Sequence, residues 1–347
     1  MEPGYSPLDG AASLAYVDVL DNALAKEIET GEGFSFYSAK KSTSAQTYWY
    51  LQHTLPKPKK NYYLGAETPE LLERIAQQRH RWSEGKVDSA VLERQVAVAL
   101  ASGCVGITYQ AYRVMNAAAQ SGLFRAGGVI VGSYAYLAMG NMLGVSWRRD
   151  TTTTQDIDLA GSPDCMVALP DDAEPLRDTI LASDDTLLEV PMFNRKDPST
   201  GFHVRGKDFR VDLITPATGT GTGVKYVGPI KSYAQQVRFL DYILEDTQKA
   251  VLLHKAGIVV NVPSPARFAL HKLIVAQRRP AAMDAKSRKD VQQASQLIAV
   301  LIEQRPGDLW LALDAAKAYP AKKFVAQLKA GFKKLPPELR EPLQAQL

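Results

Sequence analysis

The chain of 347 residues is poor in cysteine: only Cys104 and Cys165 occur, and they form no CxxC motif. This scarcity argues against a zinc knot or a disulfide framework and is expected of a protein of the reducing cytosol. No apolar run is long enough to cross a bilayer, and the N-terminus lacks the charged-then-apolar form of a signal peptide. We therefore expect a cytoplasmic protein that does not enter a membrane.

Several common site signatures are also missing. The five histidines show no metal-ligand spacing, and the sequence has no Ser-His-Asp signature, no P-loop and no complete GxGxxG motif. The formal net charge of +4 permits a nucleotide or nucleic-acid partner without requiring one. What remains as a source of chemistry is a set of acidic residues within apolar strands.

Hydrophobic periodicity predicts an α+β chain with three regions. Residues 1–123 are predicted to form a helix, a three-stranded aromatic meander at about 31–66, and helices at about 68–121. Residues 124–262 are predicted to form a core with a mixed sheet, and residues 263–347 a helical bundle. The apolar side of the first helix is expected to comprise Leu14, Val17, Leu20, Leu24 and Ile28.

The stretch 154-TQDIDLAG-161 carries Asp156 and Asp158 one residue apart in a predicted strand. Residues i and i+2 of a strand point to the same face, where two carboxylates repel one another and burial raises that cost. A divalent cation would remove the conflict, since Mg²⁺ commonly uses one or two carboxylates together with substrate phosphates. The alternative is a strand end that simply faces water.

A second motif precedes these acids. In 127-GGVIVGS-133 an apolar strand ends at Gly132-Ser133 before a predicted helix. Backbone N–H groups and a hydroxyl at such a position can bind a phosphate. The alternative is an ordinary strand-to-helix turn.

A third acid follows in 208-DFRVDLIT-215, where apolar residues flank Asp212 on both sides. Asp212 is therefore either buried and paired or placed at a site, where it could complete a metal cluster or take the proton of an attacking hydroxyl. Asp208 is the competing candidate, but its position at a predicted turn favours a solvated side chain.

Together, Gly132-Ser133, Asp156/Asp158 and Asp212 resemble the nucleotidyltransferase superfamily typified by DNA polymerase β. The resemblance implies a nucleotidyltransferase-fold core in which the three acids are catalytic and bind metal. In most members the Gly-Ser turn lies closer to the D-x-D motif. Here Trp147-Arg148-Arg149-Asp150 and a four-threonine run lengthen the gap, and we interpret this insertion as a flexible lip over the acceptor.

The resemblance extends into the C-terminal region, where 263-PSPARFALHKLIVAQRR-279 and 286-KSRKDVQQASQLI-298 look like the helical half of AbiEii-type bacterial nucleotidyltransferases. Lys272 and the pair Lys289-Asp290 match the family pattern, which implies that they bind the nucleotide. Lysines suit this role because the triphosphate needs mobile positive charge. The alternative is a solvated helix face with Lys286 and Asp290 as an ordinary i,i+4 pair.

The resemblance covers nearly the full length, including YWYLQHT, YYLGAETPELLERI and VGSYAYLAMGNMLGV, and implies a bacterial stand-alone enzyme that uses Mg²⁺ or Mn²⁺ and an NTP. The acceptor is expected to be a tRNA or other RNA 3′ end, as in toxin relatives with an antitoxin partner, a protein hydroxyl (nucleotidylation), or a small molecule. A non-catalytic nucleotide-binding or nucleic-acid-binding regulator on the same fold is the alternative.

The predicted meander also combines lysines with aromatic residues. Basic residues beside aromatics can follow a nucleic-acid backbone and stack bases. The alternative, which we favour from the sequence, is a small sheet that uses its aromatics as core and its lysines to protect the edges. The residues concerned are Lys40, Lys41, Lys57, Lys59, Lys60, Tyr48, Trp49, Tyr50, Tyr62 and Tyr63.

Overall fold

The computed structural model confirms a mixed α+β protein. It describes residues 4–29, 34–40, 46–53, 60–152, 155–162, 174–192, 194, 196–219, 221, 223–279 and 281–347.

The N-terminal region contains the predicted three-stranded meander, whose antiparallel strands β2, β3 and β4 pair in that order. Helix α2 follows, capped by the Thr68 hydroxyl, which accepts from the N–H of Leu71. The sequence pattern predicts one helix from Thr68 to about Trp82 and another from about Val87 to Leu100. This division is wrong, because α2 is continuous: no proline interrupts it, and Gly85 alone does not end it. The elements are β1 (Tyr5–Pro7), α1 (Gly10–Glu29), β2 (Phe34–Lys40), β3 (Thr47–His53), β4 (Lys60–Ala66), α2 (Pro69–Ala101) and α3 (Tyr109–Gln120).

The buried side of α1 matches the predicted one only in part. Leu20 and Leu24 are half-buried and pack on the buried residues between α1 and α2, as predicted, whereas Leu14 is 67% exposed and Val17 49% exposed. The side chain of Ile28 lies outside the described part of the helix. The fully buried positions are Ala12, Tyr16, Val19 and Ala23, which follow one another at helical spacing. Small residues suit this face because α1 lies close against α2.

The middle region forms a mixed sheet with the strand order β11-β12-β10-β7-β5, in which β9 also pairs with β10 and β8 pairs with β9. The two strands that carry the predicted acids, β7 and β10, are neighbours and run parallel. The elements are β5 (Val129–Val131), α4 (Gly132–Met142), β6 (Val145–Trp147), α5 (Arg149–Thr152), β7 (Asp156–Ala160), α6 (Leu176–Ser183), β8 (Leu187–Glu189), β9 (Gly201–Val204), β10 (Arg210–Pro216), β11 (Val224–Val227), β12 (Ser232–Val237), α7 (Asp241–Leu244), β13 (Thr247–Leu252) and β14 (Ile258–Pro263).

The C-terminal region is helical, as predicted. Helices α8 and α9 pack closely on one another, and α10 and α11 pack on α8. Among the described residues, no helix has both the length and the apolar character needed to span a membrane. The elements are α8 (Pro265–Arg278), α9 (Asp284–Gln304), α10 (Pro306–Ala318), α11 (Lys322–Phe332) and α12 (Pro337–Gln346).

One apolar cluster joins the sheet, α3, α4 and the C-terminal helices, from Ile107 to Leu343. A second cluster packs α1 and the end of α2 against the β13-β14 hairpin. The predicted boundaries at 123/124 and 262/263 stay predictions. The packing nevertheless fixes α8 and α9 next to the strands that carry the acids.

Candidate active site

The sheet brings the three predicted acids onto one face. In the parallel β7-β10 pair, Asp212 is the register partner of Asp158, and Arg210 is the partner of Asp156. The intervening Ile157 and Val211 are fully buried on the other face. The alternation of apolar and acidic residues therefore anchors both strands in the core and leaves the carboxylates on the half-buried face.

The glycine of the Gly-Ser motif lies directly against the second acid. Gly132 follows β5, whose last residue, Val131, is the register partner of Asp158. Its φ of +69° is in the left-handed region, and a Cβ at this position would collide with the Asp158 carboxylate. A residue other than glycine would thus strain the turn and displace Asp158.

Helix α4 starts at this turn with Gly132 and Ser133 in its first turn, and no side chain caps it. The first N–H groups of an α-helix lack intrahelical acceptors and carry a partial positive charge. This helix start lies beside Asp158 because β5 pairs with β7. The arrangement provides N–H donors next to the acids, as binding of a phosphate requires.

A second glycine makes room for Asp212. The first residue of β9, Gly201, is the register partner of Asp212, and a Cβ on Gly201 would lie 2.7 Å from Asp212 Oδ1. Asp212 consequently has Asp158 of β7 on one side and, on the other, the position in β9 where Gly201 carries no side chain. No feature of the sequence around Gly201 had indicated this contact.

The pKa values of Asp158 and Asp212 are raised because the acids are buried close to one another. Burial and the neighbouring charge of Asp212 raise the pKa of Asp158 to about 6, against the opposing effect of Lys272. Burial also raises the pKa of Asp212, although Arg210 favours the charged form. Negative charge at this face is therefore costly in the protein alone, and added positive charge would stabilise it.

Cations from β10 and from α9 approach the acids. From β10, Arg210 places Nε 2.9 Å from Oδ1 and 2.8 Å from Oδ2 of Asp212. From α9, Lys286 places Nζ 3.4 Å from Asp156 Oδ2. Lys289, also on α9, interacts electrostatically with Asp156. Burial and the charge of Lys272 lower the pKa of Lys289, whereas the charge of Asp156 opposes this shift.

The predicted Lys272 and Asp290 form a buried ion pair rather than part of a solvated helix face. Lys272 Nζ lies 2.7 Å from Asp290 Oδ1, and Arg279 Nε lies 2.5 Å from Asp290 Oδ2. The two cations hold the pKa of Asp290 below its ordinary value although burial opposes them. Asp290 thus orients Lys272, and the alternative pairing of Asp290 with Lys286 is wrong, because Lys286 contacts Asp156.

A cavity of about 390 Å³ lies where β7 and β10 begin, next to the first turn of α4, and none of the three acids lines it. Gln155 directly precedes β7, Phe209 directly precedes β10, and Tyr134 follows Ser133. Tyr134 is buried in this wall, and burial raises the pKa of its hydroxyl. The lining residues are Thr108, Gln110, Tyr134, Gln155, Gly206, Lys207, Asp208 and Phe209.

The described part of the predicted insertion is packed. Trp147 is buried and stacks on Tyr136 with ring centroids 4.7 Å apart. Thr151 is also buried, and its carbonyl accepts from Gln293 of α9. The interpretation as a flexible lip is wrong for residues 147–152, which dock onto α4 and α9, whereas Thr153 and Thr154 lie outside the described residues.

The carboxylates present are chemically suited to bind a divalent cation, but in the protein alone they do not form a complete coordination site. Among the described residues, no three His, Cys, Asp or Glu side chains are arranged to hold a metal ion. The donors are nevertheless carboxylates, which Mg²⁺ prefers, and two carboxylates suffice when nucleotide phosphates supply further ligands. Asp156 and Asp158 meet that description, while Asp212 is engaged by Arg210.

Sequence reasoning missed two cations of this site, Arg210 and Arg279. The spacing of Arg210 and Asp212 could have indicated the first, because residues i and i+2 of a strand share a face. No local pattern points to Arg279, which reaches Asp290 only because α8 packs on α9.

Comparison with known proteins identifies the family of the chain. A protein-family model described as "Nucleotidyltransferase" matches residues 110–317, which is more than half of the chain. The matched range includes the three acids, the Gly-Ser turn, Lys272 and Lys289. No curated protein and no solved structure matches the chain. The chain belongs to this nucleotidyltransferase family.

Proposed function

We propose that the protein transfers an NMP from an NTP to a hydroxyl acceptor, with Mg²⁺ or Mn²⁺ bound together with the nucleotide. The observation that carries the proposal is the register of β7 and β10, which sets Asp158 beside Asp212 with the Gly132 turn against Asp158. Acids and an uncapped helix start at one edge of a sheet suit a metal-bound triphosphate.

In this proposal each residue has a definite task. Asp156 and Asp158 would hold the metal, and Asp212 would become a further ligand and accept the proton of the acceptor hydroxyl. The Gly132 backbone and Ser133 would donate to the terminal phosphates. Lys272 and Lys289 would neutralise phosphate charge, and Asp290 would keep Lys272 in position, since their charged groups are 2.7 Å apart.

The reaction is a displacement at the α-phosphate. The acceptor oxygen forms a bond to phosphorus, the bond to the bridging oxygen breaks, and pyrophosphate leaves while the hydroxyl proton passes to Asp212. When bound, the metal would stabilise charge on the attacking and leaving oxygens. Holding the two reactants in line supplies much of the remaining acceleration.

The experiment is incubation with each α-labelled NTP, total RNA and lysate. We expect Asp156→Asn and Asp158→Asn to lower incorporation by at least about a hundredfold, because each removes a charged ligand. Asp314→Asn is the matched control, since this acid is exposed on α10, and its activity should stay at the wild-type level. Unchanged incorporation by both site variants would overturn the proposal.

The fraction that carries the label identifies the acceptor. Label in RNA identifies an RNA acceptor, as expected if the protein acts like AbiEii-type toxins with an antitoxin partner. Label in protein supports nucleotidylation, and label in small molecules supports a modifying enzyme. The absence of both incorporation and metal-dependent NTP binding by the wild type would instead favour a non-catalytic regulator.

A further inference from the structure

A second cavity, of about 510 Å³, lies where β10 and β12 end. These two strands run parallel and end together, because Pro216 is the register partner of Val237. The wall of the cavity comes from the segments that follow β10, follow β12 and lead from α10 into α11. Asp212 precedes Ala217 of this wall by five residues, which is about 16 Å along an extended strand. The cavity, which we call the α11 pocket, is therefore separate from the candidate active site.

Three cations surround the α11 pocket. Arg238 and Lys323 belong to its wall, and Arg278 of α8 lies beside it, with Cζ 5.3 Å from the ring centroid of the wall residue Phe239. Burial and the charge of Arg238 lower the pKa of Arg278, which shows that the two guanidinium groups are near one another. Among the contacts described, Arg278 and Lys323 belong to no ion pair. A bound anion would relieve the repulsion between these groups.

One acid, Asp241, also belongs to the wall. Its Oδ2 accepts a hydrogen bond of 2.6 Å from the Tyr319 hydroxyl. Three cations and one acid leave an excess of two positive charges around the pocket. A ligand with negative charge therefore fits the pocket better than a neutral or cationic one.

Helix α11 begins at the pocket. Its N-cap residue, Ala321, belongs to the wall, and no side chain caps the helix. The alanine side chain cannot accept from the first N–H groups of the helix, which carry a partial positive charge. A phosphate oxygen is a suitable acceptor for these groups. Lys323, in the first turn of α11, supplies a mobile positive charge for the same phosphate.

Aromatic rings form another part of the wall. The rings of Phe239 and Tyr319 stand edge to face, with their centroids 5.9 Å apart. Phe239 has a φ of +63°, a left-handed conformation that is uncommon for a residue with a Cβ and that concentrates at functional sites. Rings beside cations suit a ligand that joins an aromatic ring to a phosphate.

The aromatic residues of the meander differ from those of the α11 pocket. No side chain that the structure describes in β2, β3 or β4 is buried, so the expectation that these aromatics form a core is wrong. Lys41, Lys57, Lys59 and the side chain of Lys60 lie outside the described part of the chain. The α11 pocket, in contrast, is lined by described residues.

We propose that the α11 pocket binds a mononucleotide. The phosphate lies between Arg238, Lys323 and the start of α11, with Arg278 adding positive charge, and the base packs against the rings of Phe239 and Tyr319. The volume of the pocket is within the range of about 300–1,000 Å³ that is usual for small organic ligands. In open sheets, ligands bind in crevices at the carboxyl ends of parallel strands, which is where this pocket lies. The binding does not depend on the proposed nucleotidyl transfer.

The experiment is calorimetric titration of the full chain with AMP, GMP, CMP and UMP in EDTA, without divalent metal. We expect a mononucleotide to bind at least about tenfold more tightly than inorganic phosphate, because the base adds contacts with the rings. Arg278→Gln/Lys323→Gln should weaken this binding at least about tenfold, because two positive charges that face the phosphate are lost. Both side chains are exposed, so the core is preserved, and thermal unfolding checks the fold.

The matched control is Arg125→Gln/Lys329→Gln. It removes one arginine and one lysine at exposed positions outside the pocket wall, and Lys329 belongs to α11 itself. We expect this variant to retain binding. Absence of binding of all four nucleotides by the wild type, or equal loss in the pocket variant and the control variant, would overturn the proposal. Equal affinities for the nucleotides and for inorganic phosphate would overturn the assignment of a nucleotide.

Lys289→Gln separates the α11 pocket from the candidate active site. Lys289 interacts electrostatically with Asp156 and does not belong to the pocket wall, so the variant should bind the mononucleotide as the wild type does. Loss of binding in this variant, with binding retained by Arg278→Gln/Lys323→Gln, would place the nucleotide beside the acids and overturn the proposal. Because the titration contains neither NTP nor divalent metal, a failure of the transferase proposal shows only in the labelling experiment.

Discussion

At the scale of single residues, the contact between Arg210 and Asp212 determines whether the Asp212 carboxylate is available to a metal ion. The guanidinium covers both oxygens of the carboxylate, at 2.8 and 2.9 Å, and Asp212 is 23% exposed. The same oxygens are the ones we assign to a metal. A cation from the protein and a cation from solution therefore compete for Asp212 in the absence of nucleotide.

Arg210→Gln should raise the affinity for Mn²⁺ measured without nucleotide. The substitution removes a positive charge next to the acids and releases the Asp212 oxygens, so we expect Kd to fall about tenfold, equivalent to about 1.4 kcal/mol. Calorimetric titration with Mn²⁺ measures the change. Arg125→Gln, at an exposed arginine in the turn before β5, removes the same charge elsewhere and should leave Kd unchanged.

Equal Mn²⁺ affinities for the wild type and Arg210→Gln would contradict this competition. A lower affinity in Arg210→Gln would indicate that the arginine instead positions Asp212 for the metal.

The sequence predicted which acids approach one another but not which cations they meet. Asp156, Asp158 and Asp212 could be selected because a charge inside an apolar strand needs a reason. Arg279 gave no such signal, and for Arg210 only its i,i+2 spacing to Asp212 was a hint, since exposed or half-exposed cations are common on any strand or helix. His271 shows the same limit in reverse: in the sequence it is one of five scattered histidines, yet it is buried next to Lys272, and burial together with Lys272 lowers its pKa to about 4.

At the scale of secondary-structure elements, a buried ion cluster fastens α8 to α9. Asp290 is 4% exposed, and it bridges Lys272 of α8 and Arg279, the residue that directly follows α8. Each oxygen of Asp290 pairs with one cation, and Asp290 is the only acid in a described ion pair with either of them. Loss of the acid leaves two positive charges close together with little solvent.

Asp290→Asn should therefore lower the free energy of unfolding by about 3 kcal/mol, as is typical when one partner of a buried ion pair is removed. Urea unfolding followed by circular dichroism measures the loss. Asp284→Asn is the control, because Asp284 pairs with Arg288 on the exposed side of the same helix and exposed pairs contribute about 0–1 kcal/mol. Similar losses in the two variants would show that the cluster does not fasten the helices.

Elements with strong local signals were predicted well, and those that depend on tertiary pairing were not. The meander, α3, α8 and α9 carry clear periodicity and turn signals. The three-residue strands β1 and β6 pair with one another across more than 130 residues, and nothing in either segment alone indicates a strand. The order of the sheet likewise follows from packing, since propensity does not specify partners.

At the scale of the whole molecule, the apolar cores predict how the chain unfolds. A single cluster contains residues of the sheet and of α8 to α12, so regions 124–262 and 263–347 should unfold together although the sequence suggested a boundary between them. The meander contributes no buried side chain in its described part. Its amide hydrogens should therefore exchange through openings of lower free energy than those of the core.

Leu301→Ala tests this coupling, because Leu301 is fully buried in α9. The cavity should lower the free energy of unfolding by about 2–5 kcal/mol. Hydrogen exchange with mass spectrometry should show the same loss of protection in peptides from β7 and β10 as in peptides from α9, and none in the meander. The control is Leu311→Ala, at a 72% exposed leucine of α10. It should change neither the free energy of unfolding nor the protection of any of these peptides. Loss of protection confined to residues 263–347 would contradict a shared core and support an independent C-terminal domain.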